Sequence, residues 1–352
     1  MRRITVSLVL ALLLACFVLV RDAAAETVDT SISVVTINAW SGLEEGGFFA
    51  RGRLEEPPAR RFRLKLLAEE LAALDADVVT VGEANPLEEV TARLSEATGA
   101  GAVSHMAEGG VRIGAVGLPT NLRLGDLILA PEETQPTLVL RRTISGGYVG
   151  RSVSFQTGET NQVLGTVLEL DGRRVYVFHT RWHESPFAGR ENLLRLVEAY
   201  REGTLPAEEL VKRVERAVDG AERRLSEARR TVLAINEAAG DAPVILTGSL
   251  NARPDSEEIG VLTEAGFTDA FARAGSGAGA TWDPSRNAHI AENDLGPWDR
   301  DEAARLDYIF VRGPLEVREA RVVLDEPTYG VYPSARFGVL TRIMLKGDDT
   351  GG

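Results

Sequence analysis

Polar side chains of the types that bind phosphate or metal follow several apolar, β-rich runs of this sequence. Asn38 closes the run SISVVTIN, Glu83 follows ADVVTVG, Asn251 follows APVILTGSL, and Asp307 opens DYIFVR. Carboxylate oxygens suit hard divalent cations, and polar groups gathered at strand ends are the default hypothesis for an active site. Ordinary polarity at strand ends is the alternative interpretation.

A second group of candidates lies in the run VFHTRWH. Strand alternation places His179, Arg181 and His183 on one side, so either imidazole could transfer protons in a pocket there. His183 could instead belong to the following loop, WHESPF. A zinc site built on both histidines lacks evident further ligands.

Ser249, in the run LTGSLNARP, stands where metal or water chemistry would favour an aspartate. Ser249, a histidine and Asp307 supply the residue types of a catalytic Ser-His-Asp triad. The Gly-x-Ser-x-Gly turn that usually presents such a nucleophile is absent around Ser249. Asn287, after TWDPSR, is a further candidate for ligand contact.

The elements that must position these residues alternate between strands and helices. The order from Ser31 to Asn85 is strand, helix, strand, and Asp171-Gly172 between two alternating runs predicts a β-hairpin. RLDYIFVR and LEVREARVVL read as a second hairpin-like pair. Residues 191–240 are predicted to be helical with a break near Gly203–Pro206, and the arginines and glutamates of this stretch are expected on a solvated face.

The N-terminal residues have the pattern of a secretory signal. MRR is basic, ITVSLVLALLLACFVLV is apolar and DAAAE offers a small-residue cleavage site, which predicts a signal peptide at 1–25. A single domain over 26–352 then remains, with a helical insert at about 191–240. The protein would be secreted or periplasmic, without a stable membrane span after cleavage; anchoring by residues 4–20 is the alternative.

Composition indicates an acidic globular protein. The 352 residues are 44% hydrophobic and 26% charged, with a net charge of −13 that becomes −15 without residues 1–25. This balance disfavours non-specific attraction to nucleic acid or anionic lipid, although a local basic pocket is compatible with it. Cys16 is the single cysteine, so the domain must be held by its core alone.

Seven motifs together resemble the endonuclease/exonuclease/phosphatase superfamily, which includes pancreatic-type deoxyribonucleases and neutral sphingomyelinases. In chain order they are TIN, VGEAN, VFHTRWHESPF, LTGSLNARPDS, TWDPSRN, RLDYIFVR and PSARF. The resemblance implies an α/β fold, a four-layer α/β/β/α sandwich of two mixed β-sheets flanked by helices. It also implies phosphodiester or phosphomonoester hydrolysis with Mg²⁺ or Mn²⁺.

The resemblance also assigns roles to the residues that match the family pattern. Glu83 would hold the metal, Asn38 would contact phosphate or metal, and Asn251 would hydrogen-bond the phosphoryl group. Asp307 would orient a histidine near the C-terminus.

The departures from the family pattern remove proton-transferring and metal-binding groups. Arg181 and Arg336 stand where members usually have histidine, and Ser249 and Ala335 stand where they usually have aspartate. Guanidinium groups do not exchange protons near neutral pH, so neither arginine can be a general acid or base. Weakened metal binding and impaired or altered hydrolysis are therefore expected.

The same substitutions favour binding of anions. Arg181, Arg336, Asn251 and Asn287 are the predicted contacts for a phosphorylated or otherwise anionic ligand, because arginine forks suit such oxyanions. Asp307 with Arg336 could equally be a structural ion pair. A phosphoester hydrolase and an inactive binding protein thus remain as alternatives. The sequence gives no strong indication of nucleic acid as the ligand and leaves the oligomeric state open.

Overall fold

A computed structural model describes residues 30–44, 50–156, 158–185, 187–292 and 302–346. The strands are β1 Thr30–Asn38, β2 Val78–Ala84, β3 Gly101–Glu108, β4 Val111–Ile113, β5 Val116–Gly117, β6 Leu124–Ala130, β7 Thr137–Ser145, β8 Tyr148–Gly150, β9 Val153–Gln156, β10 Asn161–Leu170, β11 Arg173–Arg181, β12 Val244–Ser249, β13 Thr268–Asp269, β14 Asp307–Arg312, β15 Leu315–Val323 and β16 Gly338–Leu345. The helices are α1 Pro57–Ala73, α2 Leu87–Thr98, α3 Arg190–Arg201, α4 Ala207–Ala239, α5 Glu257–Glu264, α6 Ala270–Ala274 and α7 Ala288–Glu292. The predicted signal peptide lies outside the described residues.

Two six-stranded mixed sheets form the body of the fold. The first has the order β15-β16-β1-β2-β6-β3 and the second β13-β14-β12-β11-β10-β7. Each sheet contains one parallel pair, β1 with β2 and β11 with β12, among antiparallel neighbours. A third, four-stranded sheet has the order β5-β4-β9-β8.

The sheets and helices form four layers that pack against one another through three apolar cores. Ile32 of the first sheet and Leu164 of the second belong to one core between the sheets. Leu67 of α1 and Val90 of α2 cover the outer face of the first sheet, and Ala228 of α4 belongs to the core on the outer face of the second. The predicted four-layer sandwich is therefore confirmed.

Local signals placed several elements correctly. Asp171 and Gly172 both have positive φ, 48° and 74°, as the tight turn between β10 and β11 requires. The predicted helical stretch consists of α3 and α4, with the break between Arg201 and Ala207.

The predicted hairpin of the two runs RLDYIFVR and LEVREARVVL is wrong. β14 pairs with β12 and β13 in the second sheet, whereas β15 pairs with β16 in the first. Gly313-Pro314 connects the two strands, and Gly313 has a φ of 92°. The chain thus crosses from one sheet to the other at a point where the sequence pattern resembles a turn.

The expectation that all charged side chains of α4 face solvent is also wrong. Arg224 and Glu227 are buried. Arg224 Nε donates to Glu258 Oε1 at 3.1 Å, and Glu227 accepts a hydrogen bond from the backbone N–H of His183 at 2.6 Å. Specific partners on other elements, which helical periodicity cannot reveal, allow these charges to be buried.

No helix in the described part of the chain is long and apolar enough to span a membrane.

Candidate active site

The two parallel strand pairs bring polar residues to one rim of the sandwich. In the first sheet Asn38, the last residue of β1, pairs in register with Gly82, which precedes Glu83. In the second sheet Arg181 pairs with Ser249, and Ser249 pairs in turn with Asp307 at the start of β14. Asn38 Nδ2 reaches Ser249 Oγ at 3.4 Å across the gap between the sheets. Candidate residues from five strands therefore meet at this rim.

Glu83 is directed by an irregularity in β2. The register of β2 against β6 shifts between Val81 and Ala84, and Glu83 has a φ of 55°. A bulge of this kind bends the strand and redirects a side chain, and left-handed φ values at non-glycine residues concentrate at functional sites. Asn251 at the same rim has a φ of 50°.

Arg181 lies between two glutamates of the first sheet. Its Nη1 donates to Glu83 Oε1 and its Nη2 donates to Glu108 Oε1, both at 3.2 Å. Burial lowers the pKa of Arg181, but the two carboxylates outweigh that effect and raise the pKa above its ordinary value. The guanidinium thus neutralises Glu83, the residue expected to hold a metal.

Asp307 is held by hydroxyl groups rather than by an imidazole. Ser249 Oγ donates to Asp307 Oδ1 and Thr281 Oγ1 donates to Asp307 Oδ2, each at 2.6 Å. Burial raises the pKa of Asp307, with the positive charge of Arg336 opposing. Ser249 binds Asp307 directly. A Ser-His-Asp triad needs a histidine between these two residues, so the triad is not formed.

Arg336 connects Asp307 to the phosphate-binding candidate Asn251. Nη2 of Arg336 donates to Asn251 Oδ1 at 2.9 Å, and Nη1 lies 3.6 Å from Asp307 Oδ2. Nη1 is buried and has no hydrogen-bond acceptor in the described part of the chain. The guanidinium stacks on the indole of Trp282, 4.9 Å from the ring centroid. Arg336 therefore faces Asp307 through a nitrogen that makes no hydrogen bond with a described residue.

A cavity of about 420 Å³ opens at this rim; Glu83, Arg181 and Arg336 line it, whereas Ser249, Asn251 and Asp307 do not. Its charged lining consists of four arginines, four glutamates and His183: Arg51, Arg181, Arg223, Arg336, Glu83, Glu108, Glu159 and Glu184. The opposite formal charges balance, as expected from the replacement of acidic residues by arginine and small residues. Asn38, Trp282 and Ala335 also line the cavity.

His179 does not line this cavity, whereas His183 does. His179 is buried between the sheets, with Nδ1 3.1 Å from Thr247 Oγ1 and Nε2 3.9 Å from Asp126 Oδ1. Burial, together with the charge of Arg181, lowers the pKa of His179 to about 3. His183 bonds through Nδ1 to Glu159. Of the two histidines, His183 is therefore the one that reaches the cavity.

Asn287 lies behind the cavity wall. It is buried, and its Nδ2 donates to the carbonyl of Ser334 at 2.9 Å. The hydroxyl of Ser334 donates in turn to the carbonyl of Asn38 at 2.6 Å. Asn287 thus supports the segment that carries Arg336, and it has no place among the cavity-lining residues.

Sequence reasoning missed Glu108, Glu159, Arg51 and Arg223. Glu108 is the last residue of β3, so the strand-end signal that selected Glu83 was present there as well. Glu159, Arg51 and Arg223 lie on loops and on α4, where no comparable local signal exists.

The sequence profile of the endonuclease/exonuclease/phosphatase family matches residues 35–335. The chain belongs to this family. A comparison with curated proteins finds no significant match.

Solved structures of family members share the fold at low sequence identity. Humanized D. rerio TDP2 is 17% identical with a TM-score of 0.55, covering 89% of this chain and 98% of that one. An endonuclease/exonuclease/phosphatase family protein from Bacteroides thetaiotaomicron is 13% identical with a TM-score of 0.59, covering 91% and 99%. D. rerio TDP2 complexed with single strand DNA product is 17% identical with a TM-score of 0.55, covering 90% and 99%.

Members of the endonuclease/exonuclease/phosphatase family generally hydrolyse phosphoesters and typically use divalent metals. The donors of this chain do not fit such a metal. Arg181 already neutralises Glu83 and Glu108, and the Oδ1 of Asn38 accepts the backbone N–H of Trp40 at 2.8 Å. Within the described ranges no group of three His, Cys, Asp or Glu side chains is arranged to hold a metal ion.

Proposed function

We propose that this chain is an exported member of the phosphoester-hydrolase family whose cavity binds a phosphorylated or otherwise anionic ligand, with hydrolysis impaired or altered. The observation that carries the proposal is the buried Nη1 of Arg336, a cationic donor on the cavity wall with no hydrogen-bond acceptor in the described residues. An unsatisfied buried donor gains most from an anionic oxygen, because charge-assisted hydrogen bonds are the strong ones.

A neighbouring donor supports the same proposal. The Nε1 of Trp282, beneath Arg336, is buried and also lacks an acceptor in the described part of the chain. Asn251 holds Arg336 in place rather than lining the cavity, because its Nδ2 donates to the carbonyl of Trp182 at 2.8 Å while its Oδ1 accepts from Arg336. Rigid donors around one cavity are typical of a site that recognises a planar or tetrahedral oxyanion.

The proposal predicts phosphate binding that depends on Arg336. Inorganic phosphate should bind the purified protein in titration calorimetry, and Arg336→Gln should weaken the affinity at least about tenfold, since a charged hydrogen bond contributes ~1.5–3 kcal/mol. Arg342→Gln on the exposed face of β16 is the matched control and should bind as the wild type does. Arg336→Lys should bind weakly, because an ammonium lacks the fork. Undiminished phosphate binding by Arg336→Gln, with thermal unfolding confirming the fold, would contradict the proposal.

Metal-dependent phosphoester hydrolysis is the second candidate function, and it is favoured by the retained Asn38, Glu83, Asn251 and Asp307. With Mg²⁺ or Mn²⁺ and an activated phosphodiester or monoester, we expect negligible turnover by the wild type. Arg181→His, Ser249→Asp, Ala335→Asp and Arg336→His combined should restore some metal-dependent activity. Wild-type turnover at ~1–10³ s⁻¹, abolished by Glu83→Gln, would refute impairment.

The net charge of the chain bears on which class of anionic ligand it binds. One structural neighbour is complexed with single strand DNA product. The net charge of −13 weighs against duplex DNA as the ligand of this chain, because duplex binding depends on a basic surface.

A further inference from the structure

The small third sheet presents an aliphatic face to solvent. The strand registers pair Ile113 with Val116 and with Val153, and pair Val149 with Phe155. Paired residues and residues two apart share a face of a sheet, so Ile113, Val116, Val149 and Val153 form one surface, here called the aliphatic patch. Their exposed fractions are 53%, 69%, 62% and 45%.

The opposite face of this sheet is polar and points inward. Ser154 and Gln156 are buried, and Gln156 Oε1 accepts the backbone N–H of Gly110 at 3.2 Å. The hydroxyl of Tyr148 donates to the carbonyl of Ala107 at 2.9 Å and accepts from the N–H of Gly109 at 2.6 Å. One-sided sheets normally bury the apolar face. A one-residue slip would bury the aliphatic patch, but it would break these polar contacts.

The surroundings of the patch are basic in an acidic protein. Residues 109–125 and 137–158 contain five arginines and no aspartate or glutamate, although the whole chain has a net charge of −13. Arg123 pairs with Glu88 and Arg142 pairs with Glu237. Arg112 pairs in register with Ser154 and so lies on the inward face. Arg141 and Arg151 form no ion pair with a described residue and are here called the arginine rim.

We propose that the aliphatic patch and the arginine rim dock the protein on an anionic membrane surface. Aliphatic side chains gain free energy by leaving water for the headgroup and acyl boundary, and arginines near the surface are attracted to anionic lipid. The overall acidic charge disfavours such contact, so the charge reversal around the patch selects this face for it.

Two other occupants fit the patch less well. A stable protein interface buries roughly 800 Å² per partner, far more than four aliphatic side chains provide, which argues against a second copy of the chain. Single-stranded nucleic acid is bound by stacking successive bases on several aromatic rings, whereas the described patch face exposes one ring, that of Phe155.

Docking would bring the candidate cavity close to the lipid. Tyr148 fastens the sheet to Ala107 and Gly109, the two neighbours of Glu108, which lines the cavity. The docking proposal does not depend on whether the cavity binds phosphate or supports turnover.

Cosedimentation with lipid vesicles tests the proposal. The chain from Glu26 should be used, because residues 4–20 are themselves apolar and every strand of the three sheets lies within Thr30–Leu345. We expect it to bind vesicles of phosphatidylcholine with phosphatidylglycerol and to bind pure phosphatidylcholine much more weakly. Arg141→Gln with Arg151→Gln should weaken binding to the anionic vesicles roughly fivefold per arginine.

Paired substitutions separate the patch from general hydrophobicity. Val116→Ser with Val149→Ser should weaken vesicle binding at least about tenfold. Val211→Ser with Val218→Ser, also exposed at 53% and 39% but on α4, should bind as the wild type does. Thermal unfolding of each variant confirms that the fold is kept.

Three results would overturn the proposal. The first is a wild-type protein that does not sediment with phosphatidylglycerol vesicles. The second is an equal loss of binding in the two valine pairs. The third is concentration-dependent self-association in gel filtration that Val116→Ser with Val149→Ser abolishes, which would assign the patch to a second copy of the chain.

Discussion

Arg181 joins the two sheets by donating from β11 of the second sheet to Glu83 on β2 of the first, Nη1 to Oε1 at 3.2 Å. A second donation to Glu108 on β3 makes one guanidinium the partner of two carboxylates. Arg181 pairs with the carboxylate that was expected to bind metal, and it joins the two sheets at the rim. Its replacement should therefore affect both stability and chemistry.

Arg181→Ala should therefore destabilise the fold by about 3–5 kcal/mol, because removing one partner leaves buried carboxylates without a counter-charge. Arg174→Ala, on the same strand, removes an exposed pair with Glu169 and should cost less than ~1 kcal/mol. Urea unfolding of the two variants gives the comparison. Equal losses in both would show that the position of Arg181 between the sheets has no energetic consequence.

His179 and Asp126 should give opposite contributions to the pH dependence of stability. Burial lowers the pKa of His179 from 6.5 to about 3, so the unfolded chain binds more protons there and stability falls as the pH drops through that window. Burial raises the pKa of Asp126 from 3.8 to about 6, so the folded chain binds more protons and stability falls as the pH rises through that window.

Single substitutions separate the two contributions. Relative to the wild type, His179→Gln should lose stability as the pH rises from about 3 to 6.5, because the contribution of His179 over that window is removed. Asp126→Asn should instead gain stability relative to the wild type as the pH rises from about 4 to 6. Urea unfolding across this range measures both; curves parallel to the wild type in either variant would contradict the assignment.

Gly248 is required where β12 approaches β11. Its φ is 143°, and an added Cβ would lie 1.8 Å from the carbonyl oxygen of Thr180. Gly248→Ala should cost more than about 3 kcal/mol and displace Ser249 from Asp307. Gly260→Ala is the control, since nothing lies within 4 Å of the added methyl group on α5, and it should stabilise by up to about 1 kcal/mol. Thermal unfolding distinguishes the two; a mild effect at Gly248 would mean that the strands can separate.

The buried pair of Arg224 and Glu258 fastens α4 to α5. Arg224→Met alone should cost about 3–5 kcal/mol because it leaves Glu258 buried without its partner. Arg224→Met with Glu258→Leu should recover at least half of that loss, since a buried ion pair can be replaced by apolar groups of similar volume. Denaturant unfolding of the single and double variants tests this; additive losses would contradict the pairing.

Much of the fold could be predicted because its signals are local. Alternating runs, helical periodicity and the Asp171-Gly172 turn depend on neighbours within a few residues, and each reappears in the structure. The wrong hairpin of β14 and β15 shows the limit of this reasoning. Alternation shows that a strand has two faces, but it does not show which sheet the strand joins.

Some properties of the candidate site likewise follow from the sequence, whereas others depend on the tertiary structure. The sequence alone determined that Arg181 and Arg336 cannot transfer protons and that Ser249 cannot act as a carboxylate, because these properties belong to the side chain itself. Only the tertiary structure decided that Arg181 binds Glu83 and Glu108, that His179 is buried away from the cavity, and that Arg224 and Glu227 are interior charges. Ion pairs and burial depend on distances between residues far apart in the chain, and those distances are fixed only when the two sheets pack.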